Sequence, residues 1–336
     1  MPSKEKVIVD PAFRRMDEIF DPSDLNRLRG MAEVVWARDD PMPWEQFERI
    51  KHEVFAVVSA RCELGPLEEM PKLRAVLEVG GRHPSPDRFD YRTCFARGIR
   101  VLSCAPAFGP MVAEMALGMA LATTRDIVEG HTAFREGNEK YLHEGNVGTF
   151  TLFGRKVGLI GFGGLARSLK PLLDPFHCEI LAYDPWLTAT YLRNQGATPA
   201  GLEELLAASD VIFVLAIPTP SNEAMLNRSL LGLIRPHAAL VLISRSHLVD
   251  FDALTDLLHQ RKFKAAIDVF PEEPLPPDHP IRKAPGVILS GHRAGSVERD
   301  LKNIGRMAVN DLEAMMNGLP PTEMQVAQPE IIQRFR

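Results

Sequence analysis

At 336 residues the chain is long for one hydrophobic core, and 45% hydrophobic with 25% charged residues describes an ordinary soluble globule of two domains. A formal net charge of −5 and a pI near 6.1, with no run of Lys and Arg interleaved with aromatics, exclude the basic footprint of a nucleic-acid binder. Cys62, Cys94, Cys104 and Cys178 show neither CxxC nor metal-ligand spacing, which reads as a reducing compartment and no metal site.

The amino terminus, Met1 to Lys6, runs into a strand-like Val7–Val9 without the apolar core of a signal peptide, so a cytoplasmic protein is expected. Apolar runs follow at Val34–Trp36, Val54–Val58, Leu73–Val79 and Ile99–Leu102, separated by polar, helix-like stretches, and this alternation predicts an α/β domain. Pro41 and Pro43 punctuate one connection. Another, Gly80-Gly81 through Pro84 and Pro86, follows a strand directly, where ligand loops often sit.

From Pro110 to Thr124 the sequence is apolar all round, which predicts a helix enclosed on every side and lying between domains or subunits. Its apolar stretch, Met115 to Ala122, is bounded by Glu114 and by Thr123, Thr124 and Arg125, too short for a membrane span. Gly137, Asn138, Gly145, Asn146 and Gly148 then mark a turn-rich arm that needs a partner for order. Helix and arm together predict a homodimer built on the second domain.

Residues Val157 to Asp184 spell a strand, a glycine turn, a helix and an acid-tipped second strand. Gly161 permits the tight turn, Gly163 lets backbone approach a pyrophosphate, and Ala166 takes the third position, where only a small residue allows close helix-to-strand packing. Gly164 and Leu165 open the helix, whose unpaired N–H groups suit phosphates. Asp184 is placed to accept hydrogen bonds from the hydroxyls of an adenosine ribose and to repel a 2′-phosphate, and Pro185 and Trp186 follow it rather than Arg or Lys. NAD is therefore expected over NADP. Pro171 lies within the helix and predicts a short or kinked one.

Apolar runs at Val211–Ala216, Ala239–Ile243, Ala265–Val269 and Val287–Leu289 complete six parallel strands, and right-handed crossovers then impose a doubly wound sheet. Leu301, Ile304, Met307, Ala308, Leu312 and Met315 space a terminal helix that returns to the amino-terminal half. Three ionisable residues stand just past strands, at the sheet edge that borders the ligand crevice: Arg245, Glu273 and His292.

At these residues the sequence resembles the D-2-hydroxyacid dehydrogenase family. The resemblance rests on the cradle, on Ile243-Ser244-Arg245, on Asp268-Val269-Phe270-Pro271-Glu272-Glu273-Pro274-Leu275-Pro276 and on Ser290-Gly291-His292-Arg293-Ala294-Gly295, and it covers nearly the whole chain. Pro106 through Glu114 looks like the family's helix linking two domains, and Val79-Gly80-Gly81 like its loop for the substrate carboxylate. The resemblance implies a flavodoxin-like α/β substrate domain over 1–105, a Rossmann-like NAD domain over 106–297, and a carboxyl-terminal helix, 298–336, completing the first.

The implied chemistry is hydride transfer between NAD(H) and a small 2-oxo or D-2-hydroxy acid. Arg245 grips the carboxylate and polarises the neighbouring carbonyl through its planar fork. His292 donates a proton to the carbonyl oxygen as charge grows there, or removes one in oxidation. Glu273 holds His292 in the right tautomer and favours its charged form. Asp268 is implied near the nicotinamide carboxamide, and Ala216, Ile217, Pro218 and Ser244 along the cofactor cleft, which Arg245 and His292 also border. Gly80 and Gly81 are implied to offer backbone N–H groups to the substrate, with domain closure completing the site. His131, His143, His247 and His259 lack neighbouring ligands at metal spacing and read as solvated or capping residues, and Cys104 as a small packed side chain.

Some residues depart from the family pattern. Its Asn-x-x-Arg-Gly becomes Leu242-Ile243-Ser244-Arg245-Ser246, so the turn after Arg245 is less permissive, and Gly291 replaces a proline before His292, which loosens that backbone. Arg82, His83 and Arg293 add positive charge and suit an acidic or polyhydroxylated substrate. The same scaffold also serves NAD-sensing corepressors, which regulate a partner rather than turn over; the absence of long extensions argues against that reading. A formate dehydrogenase would pair the histidine with Gln, against which Glu273 speaks.

Overall fold

The computed structural model describes residues 4–335, which form two compact units: the chain up to Phe108 together with the segment from Ser296 onward, and Gly109–Gly295.

In the first unit β1 (Lys6–Asp10), β2 (Glu33–Ala37), β3 (Val54–Ser59), β4 (Ala75–Glu78) and β5 (Arg100–Ser103) form a parallel sheet in the order β5-β4-β3-β1-β2. This is the flavodoxin-like order. Side chains alternate between two covered faces, Ile8, Val57, Val76 and Val101 packing on one side and Val7, Val9, Val58 and Leu77 buried on the other. Each strand was legible as an apolar run. A sixth, Gln325–Val326, was not; it pairs antiparallel with β5 through Gln325 to Ser103 and Val326 to Leu102.

The terminal helix, Lys302–Met316, packs on the helix Pro22–Met31 and buries Ile304, Met307, Ala308 and Leu312, the spacing expected of it. Gly305 sits against Ile19 and Phe20, with no room for a side chain. Buried Asp311 then accepts hydrogen bonds from the N–H groups of Thr322 (2.7 Å), Glu323 (3.1 Å) and Met324 (2.7 Å), aiming the tail at the sheet edge.

The second unit contains β6 (Lys156–Ile160), β7 (Glu179–Tyr183), β8 (Thr198–Pro199), β9 (Val211–Val214), β10 (Ala239–Leu242), β11 (Lys264–Ile267) and β12 (Val287–Leu289). The order β12-β11-β10-β9-β6-β7-β8, all parallel, reverses direction between β6 and β9, the doubly wound arrangement with its switch point. The six expected strands are present. The seventh, β8, is only two residues long.

Gly158 in β6 faces Leu205 and leaves that leucine the space a methyl group would take. The helix Gly164–Leu173 ends two residues past Pro171, so it is short, as a proline there requires. The helix Gly109–Thr124 packs on it and on β10 and β11, burying Met111, Val112, Ala116, Met119 and Ala120. It is not enclosed all round: Pro110, Glu114 and Gly118, four residues apart, remain exposed among the described residues. Counted with the turn Ala105–Phe108 before it, this is, among the described residues, the one helical run long and apolar enough to cross a bilayer by length and composition, a longer run than the expected stretch Met115–Ala122.

Candidate active site

The cradle begins where β6 ends. Gly161 has φ +89°, a left-handed conformation, and a Cβ on it would lie 2.6 Å from the backbone of Ala216. Glycine here lets the turn after β6 approach the loop after β9, so Ala216 borders the glycine turn, with Ile217 and Pro218 following it in the chain. Gly163 and Gly164 are exposed, with nothing within 4 Å of where a Cβ would stand, and Leu165 follows in the first turn of the helix. Ala166 is fully buried under them.

Asp184 ties this turn to β7. One carboxylate oxygen accepts from the Phe162 N–H at 2.8 Å and the other from the Trp186 N–H at 2.9 Å. Each oxygen keeps lone-pair capacity for a further donor. Ser244 Oγ and Ser290 Oγ, at the carboxyl ends of β10 and β12, are buried and have no hydrogen-bond partner. A bare glycine-lined cradle, a carboxylate at the second strand and an orphaned hydroxyl at the same sheet edge all fit a dinucleotide.

Glu273 and His292 meet directly. His292 Nδ1 lies 2.5 Å from Glu273 Oε2, and the other oxygen, Oε1, accepts from the Phe270 N–H at 2.9 Å. Partial burial pushes the Glu273 carboxyl up, but the His292 hydrogen bond, the Phe270 N–H and the charges of His292 and Arg245 together hold it below its ordinary value. Arg245 therefore lies within electrostatic reach of the pair, and its Nη1 donates to the Ser244 carbonyl at 2.7 Å. The structure brings the three strand-end residues into one neighbourhood.

Arg245 is extended (φ −151°) and starts the single turn Ser246–Leu248, and Ser246 is not left-handed, so the loss of the family's glycine is harmless. His292 is left-handed, at φ +48°, but it is pinned rather than loosened by Gly291. Its N–H donates to the Asp268 carbonyl at 2.7 Å, and the Asp268 carboxylate accepts from the N–H groups of Arg293 and Ala294, both at 3.1 Å. Asp268 is wholly buried, and in this chain it anchors the histidine loop. Reading the sequence missed that duty, because nothing local to Asp268 points to a loop twenty-five residues later.

In the first unit, Gly80 and Gly81 follow β4 as expected, but both N–H groups donate to the Glu78 carboxylate, at 2.5 and 3.1 Å. His83 bonds the Gln325 carbonyl at 2.9 Å, and burial lowers its pKa, so it is neutral at pH 7 and adds no charge. Of the three basic residues expected near the substrate, only Arg82 and Arg293 carry charge. Cys104 is fully buried with its thiol pushed up by burial, the packed role expected of it. Among the described residues no group of three or more His, Cys, Asp or Glu is arranged to hold a metal.

Residues 117–294 match the family model of the D-isomer specific 2-hydroxyacid dehydrogenase NAD binding domain. A glyoxylate reductase of Thermofilum pendens is 29% identical over 310 residues, covering 88% of this chain and 89% of its own. A D-3-phosphoglycerate dehydrogenase of Methanocaldococcus jannaschii is 26% identical across 82% of this chain, which spans 52% of that longer protein. The crystal structure of a phosphoglycerate oxidoreductase from Rhizobium etli is similar with a TM-score of 0.87 at 36% identity, over 97% of this chain and 99% of that one. The chain belongs to the D-isomer specific 2-hydroxyacid dehydrogenase family, in which a nicotinamide dinucleotide serves the oxidoreduction of small 2-hydroxy and 2-oxo acids.

Proposed function

We propose that this protein interconverts a 2-oxo acid and its D-2-hydroxy acid with NAD(H), using Arg245 to bind the carboxylate, His292 as general acid and base, and Glu273 to position His292. The observation that carries this reading is the His292–Glu273 contact beside Arg245, at the sheet edge that also presents the glycine cradle. A bound nicotinamide supplies or accepts the hydride. With Nδ1 committed to Glu273, Nε2 is the nitrogen left to exchange a proton with the substrate oxygen, and the guanidinium of Arg245 neutralises the acid beside it. Gly161, Gly163, Gly164 and Leu165 receive the pyrophosphate, Asp184 the ribose, and the side chain of Ser244 a polar group of the cofactor. NAD rather than NADP follows from the negative charge of Asp184.

Exposed Ile127 and Phe134 on the helix Ile127–Glu136, and exposed Tyr141, Leu142 and Val147 on the arm that follows it, support a homodimer joined through the second unit. Sedimentation velocity tests this, a monomer at micromolar concentration being the contrary result. All four cysteines lack disulfide partners, in keeping with a cytoplasmic protein.

The deciding experiment follows NADH absorbance with a panel of 2-oxo acids that begins with glyoxylate, and the reverse reaction with NAD and 3-phosphoglycerate, the acids named by the relatives. His292→Ala is expected to lower turnover by about 10²–10⁴-fold while NADH still binds the cradle. Binding of NADH without reduction of any acid would replace this reading with the NAD-sensing one.

A further inference from the structure

Glu78 ends β4 and is only 3% exposed, yet the proposed chemistry gives it no part. Its carboxylate is surrounded by donors. Oε1 accepts from the Gly80 N–H at 2.5 Å, and Oε2 from the Gly81 N–H at 3.1 Å, the Arg82 N–H at 2.9 Å and the Ser103 hydroxyl at 3.2 Å. Three successive N–H groups turned towards one point form a nest for an anion. The backbone is shaped around this contact: a Cβ on Gly80 would lie 2.5 Å from Glu78 Oε1, and Gly81, at φ +110°, would put one 3.0 Å from the Phe108 ring. The loop therefore requires glycine at both positions.

We infer that Glu78 is a built-in anion for this loop, a positioning residue that fills the amide nest with its own carboxylate, so that the substrate acid is recognised by side-chain cations and not by these N–H groups. The inference rests on the reading above only in taking the loop Val79–Arg82 as facing the substrate. The nest itself stands on geometry: all four contacts are donors, and once Glu78 is ionised a substrate carboxylate would meet an equal charge already in place.

The test uses the full chain at pH 8, above the value of about 7 to which burial raises Glu78. Glu78→Ala vacates a nest of carboxylate size. Its melting temperature is expected to fall, and sodium acetate at tens of millimolar, against sodium chloride of equal ionic strength, is expected to raise it again, with no such response in the wild type. KM for the 2-oxo acid should rise about tenfold with kcat within about twofold, and acetate should bring KM back. No acetate response with KM unchanged, or a KM that falls, overturns the inference. Should Glu78→Ala not fold, Glu78→Gln keeps the shape but turns an NH2 towards N–H donors; KM is expected to rise similarly without acetate rescue, and a wild-type KM in this variant also overturns it. If the wild type reduces no acid, the proposed function fails, while the acetate-dependent melting of Glu78→Ala still decides the nest.

Discussion

His292 Nδ1 and Glu273 Oε2 stand 2.5 Å apart although nineteen positions separate them in the chain, and the carboxylate is held on its far side by the Phe270 N–H. The contact fixes which ring nitrogen is left for the substrate. Glu273→Gln keeps a hydrogen-bonding shape but removes the charge, so kcat is expected to fall by roughly 10–100-fold, less than for His292→Ala. Because Glu273 titrates below its ordinary value, the ionised form and the stabilisation it brings persist as pH falls through the usual carboxylate range, and are lost only below it. A pH profile of kcat/KM should thus show no loss attributable to Glu273 near its ordinary value in the wild type.

Arg245→Lys preserves charge and discards the planar fork. KM for the acid is expected to rise by about 10–100-fold, the worth of a charged hydrogen bond, with a smaller change in kcat. Steady-state kinetics over a range of acid concentrations read this directly, and an unchanged KM would remove Arg245 from the carboxylate.

Asp184→Ala removes the negative charge and also the two hydrogen bonds to Phe162 and Trp186. NADH affinity should drop and the ratio of NADH to NADPH efficiency should fall at least about tenfold, since a lost ribose contact and a lost repulsion act together. Parallel assays with the two cofactors measure it. A wild-type preference for NADPH would contradict the ribose role outright.

Glu78 carries a pH signature in stability. Burial raises its pKa from 4.5 to about 7, against the pull of its donors. Between those values the folded chain holds a proton that the unfolded chain has released, so stability falls as pH rises through the window and levels off above it. The neighbouring Cys62, Cys104 and Tyr91 are all pushed upward and do not titrate in this range. Buried His83, with its lowered pKa, acts in the opposite direction, so the comparison must be with Glu78→Gln, which keeps His83 and removes the titrating carboxyl. From pH 5 to 7.5 the wild type should lose roughly 2–6 °C of melting temperature relative to that variant. Parallel melting curves for the two would contradict a buried, titrating carboxylate.

The two sheets were legible because buried parallel strands are continuous apolar runs, and the crossovers between them have one permitted hand. Two strands escaped notice. Thr198–Pro199 and Gln325–Val326 are too short for any periodic signal, and each exists because a longer neighbour, β7 or β5, offers an open edge. The helix Gly109–Thr124 is apolar at nearly every position, so composition could not say which stripe its own chain would leave exposed.

Within the site, the cradle could be read from local spacing, because Gly161, Gly163 and Asp184 act through backbone shape and one charge within a single strand-helix-strand unit. Arg245, Glu273 and His292 could be placed at strand ends from sequence, and the resemblance supplied their roles. Their approach to one another was decided by the order β12-β11-β10, which sets three distant strand ends side by side. Nothing in the sequence marked Glu78, and Asp268 was expected at the nicotinamide rather than in the histidine loop, because a strand-end acid carries no local sign of whether it is solvated or a buried anchor. Hydrogen-bond partners of a buried carboxylate are chosen by which backbone N–H groups the fold turns towards it, and that depends on dihedral angles such as those of Gly81 and His292 rather than on residue type. The amino-acid order by itself thus determined the layers, the nucleotide turn and the reactive side chains; tertiary structure alone decided which of those side chains meet and which acids are spent inside the protein.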